Sequence, residues 1–512
     1  IRASPLLDLQ GSVRPGSVLG FDPIWLGVGL AAILIVPLIA LGGLAVMGDG
    51  AYLSHIASTR LADFASSSFL LAAMSGFGAA MLGLGSAWLV SRYDFWGRDM
   101  LDWALVMPLA MPGYIAAYSW YDLTAPGGSV YRTTDGFFPT ISGVSGAAFV
   151  FALTLYPYIY LLVRNSLGLN GEAHREIARS LGARPAQLFW RIDLPTVWPA
   201  IAAGTALVIM EVLADFGVAD FLGVSTFTVG IVRAWSSFGD PAAAAQLAVI
   251  LLFVCLLAMG AERAARGRRK FGTTAVQKGE RTRQRLVGWQ RAAAVSAAVT
   301  PLLLGLFIPV GNLAYMLWEV PPARSALGPA LGTFQLSIAS AAIAMIVGVS
   351  AGYALRTGKS VSRSAVRIAQ AGYAVPGAVA GIAVLACLVA LQWAIDALPG
   401  QVPILLTGGS VFALLFAYQV RFAAVAILPC ETALTRIRIS QDEIARSLGA
   451  RPWEVLAKVH FPLIRTGVAV AALLVAVEVS KELPATMILR PFDLDTLAVT
   501  AHNYASDERL AQ

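Results

Sequence analysis

One ten-residue string, EIARSLGARP, occurs twice in this chain of 512 residues. The copies begin at Glu176 and Glu443, which are 267 positions apart. The same spacing holds ten positions after each string ends, where Pro195 corresponds to Pro462. An identity of this length, kept in register, is not a chance event. The chain therefore consists of two homologous halves that arose by duplication and fusion.

Each copy of the string is predicted to form two short helices joined by a bend. Ile177 and Leu181 are four positions apart and so share one face of the first helix. Gly182 is expected to end that helix, because glycine accepts the positive φ of a helix terminus at little cost. In the second copy, Ser440 followed by Glu443 is a candidate capping box at the helix start.

The composition is that of a membrane protein. Hydrophobic residues make up 57% of the chain and charged residues 13%, against roughly 45–50% and about 25% in soluble domains. The mean hydropathy is +0.71. The net charge of +7 is therefore interpreted as a topology signal and not as a nucleic-acid footprint. The three cysteines are far apart and form no Cys-x-x-Cys motif, which argues against a disulfide framework or a zinc site.

Apolar segments in both halves are predicted to cross the bilayer, which takes about 20 residues per helix. In the first half they are Ile24–Val46, Phe69–Val90, Leu101–Tyr121, Gly146–Val163, Trp198–Phe216 and Ala242–Met259. In the second half they are Ala292–Trp318, Leu331–Leu355, Ile368–Ala394, Ile404–Leu428 and Ile464–Val479. Asp507 corresponds to Asp240, which precedes the sixth span, so we expect a twelfth span after Gln512.

The distribution of basic residues predicts the topology. Residues 261–291 form a linker between a first half, 1–260, and a second half, 292–512, and this linker is rich in Arg and Lys. Such a segment should stay in the cytoplasm. Counting spans outward from it places the chain's N-terminus and both motif segments, 172–195 and 439–462, in the cytoplasm as well.

The sequence offers no catalytic site. Residues Gly352 to Ser360 resemble a phosphate-binding loop, but five residues instead of four separate the two glycines, and the segment ends an apolar span. Neither a Ser/His/Asp nor a Cys/His arrangement is recognisable. We therefore expect a chain that is not an enzyme and that takes its energy from a partner.

Four acidic residues occur in or at the ends of predicted spans. Glu211 and Asp215 are four positions apart in the first half, and Glu478 and Glu482 repeat them 267 positions later. Residues four apart share a helix face, and pseudo-twofold symmetry would bring the two faces together. A carboxylate in the hydrocarbon region costs about 2.5–3.5 kcal/mol, so it normally faces a partner or an aqueous path.

Two interpretations of these carboxylates are open. They could line a translocation path, where hard oxygen ligands favour transient contact with a highly charged cation over an anion such as sulfate or phosphate. Alternatively, they could cap helix ends or pair with Lys481 or Arg233 for structural reasons. In neither case do we expect a stably bound metal.

The repeated motif resembles the coupling motif of ABC importer permeases, whose pattern is Glu-x-Ala-x3-Gly followed by Ile-x-Leu-Pro. The second copy departs mildly, with Val459 and Phe461 at the Ile and Leu positions. By this resemblance, the residues that contact an ATPase are Glu176, Ala178, Gly182 and Pro195 with Glu443, Ala445, Gly449 and Pro462. The alternative is a pair of surface helix-turn-helix elements that touch DNA or anionic lipid.

Further segments resemble those of ferric-iron ABC permeases, and the resemblance covers nearly the whole chain. They are Glu211–Gly217, Phe238–Gln246, Lys481–Thr486, Met107–Gly113 and Tyr373–Gly377. The resemblance implies an all-α polytopic membrane protein made of two fused six-helix type I permease halves. Permeases for thiamine and aminophosphonates share this fused architecture and remain alternatives for the substrate.

The resemblance also implies partners and location. A cytoplasmic ATPase homodimer, which carries ATP and Mg, would bind the two coupling motifs, and a periplasmic binding protein would deliver the ion. The chain itself would hold no cofactor, would contact membrane lipid but no nucleic acid, and would lie in the bacterial inner membrane. A secondary transporter, which also uses repeats but needs no ATPase, is the rival from another class.

Overall fold

A computed structural model describes residues 23–48, 50–170, 172–266, 283–319, 326–358, 360–397, 406 and 409–507. The first half contributes α1 (Pro23–Met47), α2 (Ala51–Thr59), α3 (Leu61–Arg92), α4 (Arg98–Ala104), α5 (Gly113–Thr124), α6 (Ser129–Thr134), α7 (Gly143–Asn170), α8 (Glu172–Ser180), α9 (Pro185–Leu188), α10 (Leu194–Ala214), α11 (Gly217–Phe221), α12 (Phe227–Ser236) and α13 (Pro241–Arg266). The second half contributes α14 (Trp289–Leu302), α15 (Ile308–Glu319), α16 (Leu327–Thr357), α17 (Ser360–Gln370), α18 (Gly377–Asp396), α19 (Val411–Thr435), α20 (Ile439–Ser447), α21 (Pro452–Glu454), α22 (Phe461–Ser480), α23 (Pro484–Leu489) and α24 (Leu497–Ser506).

The described residues confirm the all-α polytopic architecture. Ten helices are long and apolar enough to cross a membrane, or up to 11 if one bent pair forms a single span. Strand structure among these residues is limited to β1 (Tyr93–Asp94) and β2 (Gln284–Arg285), which pair in parallel.

Two of the predicted spans are broken at a Pro-Gly pair. Leu101–Tyr121 is divided into Arg98–Ala110 and Gly113–Thr134, which meet at 92°. Ile368–Ala394 is likewise divided, since a 3-10 turn precedes Pro376 and a new helix begins at Gly377. Proline lacks the N–H that continues a helix, and it forces the preceding residue into an extended conformation. Neither of these predicted spans is therefore one continuous helix.

Some predictions fall outside the described residues. Part of Ile404–Leu428 does so, and the described helix there begins at Val411, where the Ser410 hydroxyl accepts a hydrogen bond from the N–H of Phe412. Most of the basic linker, residues 267–282, is also outside. The twelfth span, expected beyond Gln512, stays a prediction.

The first span of each half packs against the other half. Helix α1 lies against α16 and α18, while α14 and α15 lie against α3 and α5. Two hydrogen bonds join α5 to the first span of the second half. Ser119 Oγ donates to the carbonyl of Pro309, 3.1 Å, and Trp120 Nε1 donates to the carbonyl of Leu304, 3.2 Å. The duplication boundary is therefore not a packing boundary, and the halves are interlocked.

Both motif segments lie at the same end of the molecule, called the motif end below. Strand β2 pairs with β1 beside the first motif, and α14 and α15 then run to the opposite end, where Asn312 donates to Asp122, 3.0 Å. Helix α16 runs back and brings Arg356 to Asp442 in the second motif, 3.0 Å. Helices α10 and α22, which follow the motifs, thus lead from the motif end towards the opposite end.

Candidate functional site

The two motif segments have the same backbone geometry. Gly182 and Gly449 adopt φ of 83° and 84°, as predicted for glycines that end a helix. The N–H of Ala183 donates to the carbonyl of Ala178, 2.9 Å, and in the second copy Ala450 donates to Ala445, 3.0 Å. These are Schellman closures, in which the left-handed glycine lets the chain turn back and satisfy carbonyls at the helix end.

The predicted capping box at the start of the second motif was wrong. Helix α20 begins at Ile439, so Ser440 already lies in its first turn, and no side chain caps the helix. The hydrogen bond expected of Glu443 in a capping box is formed instead at the start of the next short helix, α21. There the Glu454 carboxylate accepts the N–H of Arg451, 2.9 Å. A serine inside the first turn cannot accept the hydrogen bond that an N-cap residue accepts.

The first helix of each motif exposes an apolar pair at the motif end. Ile177 and Leu181 are 60% and 82% exposed, and Ile444 and Leu448 are 59% and 82% exposed. The two halves thus present matched surfaces, each an apolar ridge on a polar helix. An exposed apolar pair therefore occurs at the same place in both halves.

The other motif residues named above lie on the motif helices or, for Pro195 and Pro462, in the first turns of α10 and α22. The side chain of Glu176 is outside the described part of the chain. The remaining positions are exposed at Pro195, Glu443 and Pro462 and half-buried at Ala178 and Ala445. Their small or exposed side chains leave the motif helices accessible.

The four acidic residues line one cavity. The cavity has a volume of about 110 Å³ and lies between the halves, away from the motif end. Its walls include Glu211 and Asp215 from the first half and Glu478 and Glu482 from the second. The structure therefore brings together all four residues that the repeat singled out.

The expectation that each pair of acids shares a helix face was wrong. Helix α10 ends at Ala214, and Asp215 is already extended, with ψ of 140°. Asp215 instead accepts the N–H of Val218, 2.8 Å, and caps α11. Glu482 accepts the N–H of Ala485 in the same way, 3.1 Å. One acid of each pair thus caps a short helix and lines the cavity at the same time.

Basic and phenolic groups accompany the acids. Tyr373 donates to Glu211, 2.9 Å, and Lys481 pairs with Glu478, 3.2 Å. Arg421 forms an ion pair with Glu482. With four carboxylates and two basic side chains in its lining, the cavity has a formal charge of −2. The pairing predicted for Lys481 is present, whereas Arg233 pairs with Asp220, outside the set of four acids.

Sequence reasoning missed Arg421. It lies in α19 beside the cavity and is largely buried. A charged residue within an apolar span is a recognised signal of function. Only acidic residues repeated at the 267-residue spacing were considered in the sequence, and Arg421 was therefore not included. Its counterpart 267 positions earlier is Thr154, which also lines the cavity. Equivalent positions of the two halves therefore both line the cavity, one with a hydroxyl group and the other with a guanidinium group.

Gly377 makes room for the Arg421–Glu482 pair, which gives a testable prediction. A Cβ at this position would overlap Glu482 Oε1 and lie 2.6 Å from Arg421 Nη1. We expect Gly377→Ala to lower the melting temperature of the purified protein by several degrees, since overpacking costs about 1–3 kcal/mol. The matched control is Gly113→Ala, where the added Cβ would lie 3.1 Å from a methyl of Val218. Equal melting temperatures for both variants would contradict this account.

The four acids do not form a metal cage. Within the described ranges, no three Asp, Glu, His or Cys side chains come together in a group that could hold a metal ion. Two of the carboxylates are also engaged by basic side chains. The arrangement can offer a passing cation several oxygen contacts from different sides.

Comparison with known proteins gives a consistent result. The family described as "Binding-protein-dependent transport system inner membrane component" matches residues 79–269 and 329–490, one segment in each half. The Fe(3+)-transport system permease protein FbpB 2 of Haemophilus influenzae is 26% identical over 464 residues, which are 88% of this chain and 86% of that protein.

Relatives named for anion transport also match. The sulfate transport system permease protein CysT of Escherichia coli is 30% identical over 253 residues, which are 48% of this chain and 91% of that protein. The molybdenum transport system permease protein ModB of Haemophilus influenzae is 27% identical over 180 residues, 34% of this chain and 78% of its own length. The relatives thus agree on permease function and differ in substrate.

Proposed function

Because the chain belongs to the family of binding-protein-dependent transport system inner membrane components, we propose that it is the fused permease subunit of an ATP-driven importer of ferric iron. The chain is a transport subunit and not an enzyme, and ATP hydrolysis by a separate subunit fits the family. The observation that carries the proposal is the acid-lined cavity between the two halves.

The partner of the motif end in this proposal is a cytoplasmic ATPase homodimer that carries ATP and Mg. Its two equivalent surfaces would receive the two apolar ridges, which are exposed to nearly the same degree. The motif end and the N-terminus would then lie in the cytoplasm of a bacterium with an inner membrane. A periplasmic binding protein would deliver the ion at the opposite end, and rocking of the interlocked halves would move it inward.

The charge balance of the cavity supports a cationic substrate. Arg421 is paired with Glu482 and Lys481 with Glu478. Glu211 accepts a hydrogen bond from the neutral phenol of Tyr373, and Asp215 accepts one from a backbone N–H. Glu211 and Asp215 are therefore bonded to neutral donors and, among the described residues, not to the basic side chains of the cavity. An entering cation would meet a net negative lining made of hard oxygen ligands.

An oxyanion is the second candidate substrate. The sulfate and molybdenum permeases among the relatives favour it, and so does the presence of Arg421 and Lys481 in the lining. Both basic groups are, however, already engaged by acids, so an anion would have to displace a carboxylate. Thiamine, which is cationic, and aminophosphonates complete the set of alternatives.

Purification of the protein from its native membrane tests the ATP-driven mechanism. We expect an ATP-hydrolysing subunit to co-purify in a ratio of two copies per chain. A secondary transporter would be isolated without such a subunit and would still accumulate substrate in vesicles that lack ATP. That result would contradict the proposal.

The two motif glycines provide a test of coupling. We expect Gly182→Val combined with Gly449→Val to uncouple ATP hydrolysis from uptake while the protein stays in the membrane. A side chain with a Cβ costs about 1–2 kcal/mol at such a left-handed position, and each single variant should impair transport. The control is Asn at both sites, because Asn tolerates positive φ. Normal uptake by the valine variant with intact ATPase binding would contradict this role.

A further inference from the structure

Both halves contain the same helical irregularity directly after the motif. Residues Phe189–Asp193 and Val455–His460 form π-helical segments, and the regular helices α10 and α22 continue from Leu194 and Phe461. Asp193 and His460, the last residues of these segments, are 267 positions apart. They are only 1% and 0% exposed. π-Helical segments of this kind frequently occur at functional sites.

In the first half, Asp193 connects three elements. It forms an ion pair with Arg175 of α8, the first motif helix. It also accepts from Arg92 Nη2 at the end of α3, 2.8 Å, and from Trp88 Nε1, 3.0 Å. One buried carboxylate thus joins the motif helix to α3 and to the start of α10.

In the second half, the corresponding connection is made by Asp442. It lies on α20, the second motif helix, and accepts from His460 Nε2, 2.8 Å, and from Arg356 Nε of α16, 3.0 Å. Burial opposes ionisation, but the hydrogen bonds from Arg356 and His460 hold the pKa of Asp442 below its usual 3.8. The carboxylate is therefore charged at neutral pH.

The two connections are equivalent in position and opposite in polarity. Arg175 and Asp442 are 267 positions apart, as are Asp193 and His460. The motif helix therefore contributes the base in the first half and the acid in the second. The contact is kept in both halves although the residues that make it have been exchanged, which indicates that the link itself is what both halves require.

We propose that these pairs are positioning residues that make each motif helix move as one body with the span that carries the cavity acids. Glu211 lies 18 positions after Asp193, and Glu478 lies 18 positions after His460. At 1.5 Å per residue, each link acts on its cavity acid through about 27 Å of helix. A displacement of a motif helix thereby reaches the cavity without being absorbed in the bend that follows the motif. This inference rests on the proposed function, since it requires a partner that moves the motif helices.

The motif helix carries the basic residue in the first half and the acidic residue in the second, so exchanging the two residues within the first half is a test of the proposal. Arg175→Asp alone leaves two carboxylates facing each other, and Asp193→His alone removes the carboxylate that Arg175 binds. The two substitutions together give the first half the Asp–His pair of the second. The complex with its ATPase, in proteoliposomes with a ferric-loaded binding protein, yields ions transported per ATP hydrolysed. We expect this ratio to fall at least tenfold in each single variant and to return to within about twofold in the double variant. Arg363→Gln, an exposed change outside both motifs, should leave the ratio unchanged.

A milder variant keeps the test valid if the single variants fail to fold. Asp442→Asn preserves shape, and Arg356 retains its hydrogen bonds to the carbonyls of Leu434 and Ile437. We expect this variant to assemble with the ATPase and to transport several-fold fewer ions per ATP. A reduced yield of complex with an unchanged ratio would show a purely structural role and overturn the proposal. An unrestored double variant that assembles normally would do the same.

Measurements on the wild-type complex distinguish a failure of the proposed function from a failure of the positioning role alone. A wild type that moves the ion without ATP hydrolysis would contradict the proposed function, and the coupling role of the pairs would fall with it. A coupled wild type whose ratio is insensitive to all of these variants would contradict the positioning role alone.

Discussion

Replacing Glu211 and Glu478 together by Gln should reduce uptake of ferric iron at least tenfold while association with the ATPase is retained. The substitution changes the formal charge of the cavity from −2 to 0 and leaves one acceptor oxygen on each side chain, so Tyr373 and Lys481 can still donate. Two unit charges that lie 4 Å apart interact with an energy of about 4 kcal/mol at an effective dielectric constant of 20. Since a tenfold effect needs only about 1.4 kcal/mol, the expected loss is a conservative figure.

The control for this experiment is Glu431→Gln. Glu431 lies on α19 outside the cavity and pairs with Arg367, 2.7 Å, so the change removes a carboxylate without touching the proposed path. We expect uptake to be nearly normal in this variant. Undiminished uptake in the Glu211 and Glu478 double variant would reduce the cavity acids to structural groups.

Leu181→Asp combined with Leu448→Asp should weaken binding of the ATPase at least a hundredfold. Both side chains are 82% exposed at the tips of the two ridges. Burying a leucine contributes about 1.5–3 kcal/mol, and an aspartate in an apolar groove adds a desolvation cost. The measurement is the amount of ATPase retained on the immobilised permease in detergent.

An exposed apolar residue outside the motifs provides the matched control. Phe137 follows α6 at the end opposite the motifs and is 91% exposed, so Phe137→Asp makes the same kind of change away from the ridges. We expect it to retain the ATPase at the wild-type level. If the Leu181 and Leu448 variant also retained the ATPase fully, the ridges would not be the docking surface.

The repeat made much of the site predictable from sequence. Because positions 267 apart are equivalent, the register alone pointed to Gly182 with Gly449 and to the paired acids, and the structure places those acids in one cavity. The left-handed glycines were predictable for a local reason, since a helix end that turns back needs positive φ.

Other features depend on information that periodicity does not contain. Hydropathy averages over a window and therefore did not reveal the breaks before Gly113 and Gly377. Asp215 and Glu482 were wrongly assigned to the helix faces of Glu211 and Glu478, because an acid just past a helix end suits a helical pattern and a cap equally well. The role of Arg421 became visible only through its long-range partner, Glu482. The exchange of first spans likewise depends on contacts between segments far apart in the chain.

The opposite charges at the equivalent positions Arg175 and Asp442 are another feature that the sequence alone did not reveal. A search for identical residues at the repeat spacing overlooks it, because the two positions carry opposite charges. Only the contacts with Asp193 and His460 show that the positions are equivalent in use. Repeats can thus preserve a contact while exchanging the residues that form it.

Uptake of radiolabelled ferric iron in a strain that lacks the gene tests the central claim most directly. The strain carries the chain on a plasmid, and iron uptake is measured alone and with an excess of sulfate, molybdate or thiamine. We expect the plasmid to restore ATP-dependent iron uptake that none of these competitors reduces. Restoration of labelled sulfate, molybdate or thiamine uptake, with iron uptake still absent, would contradict the account.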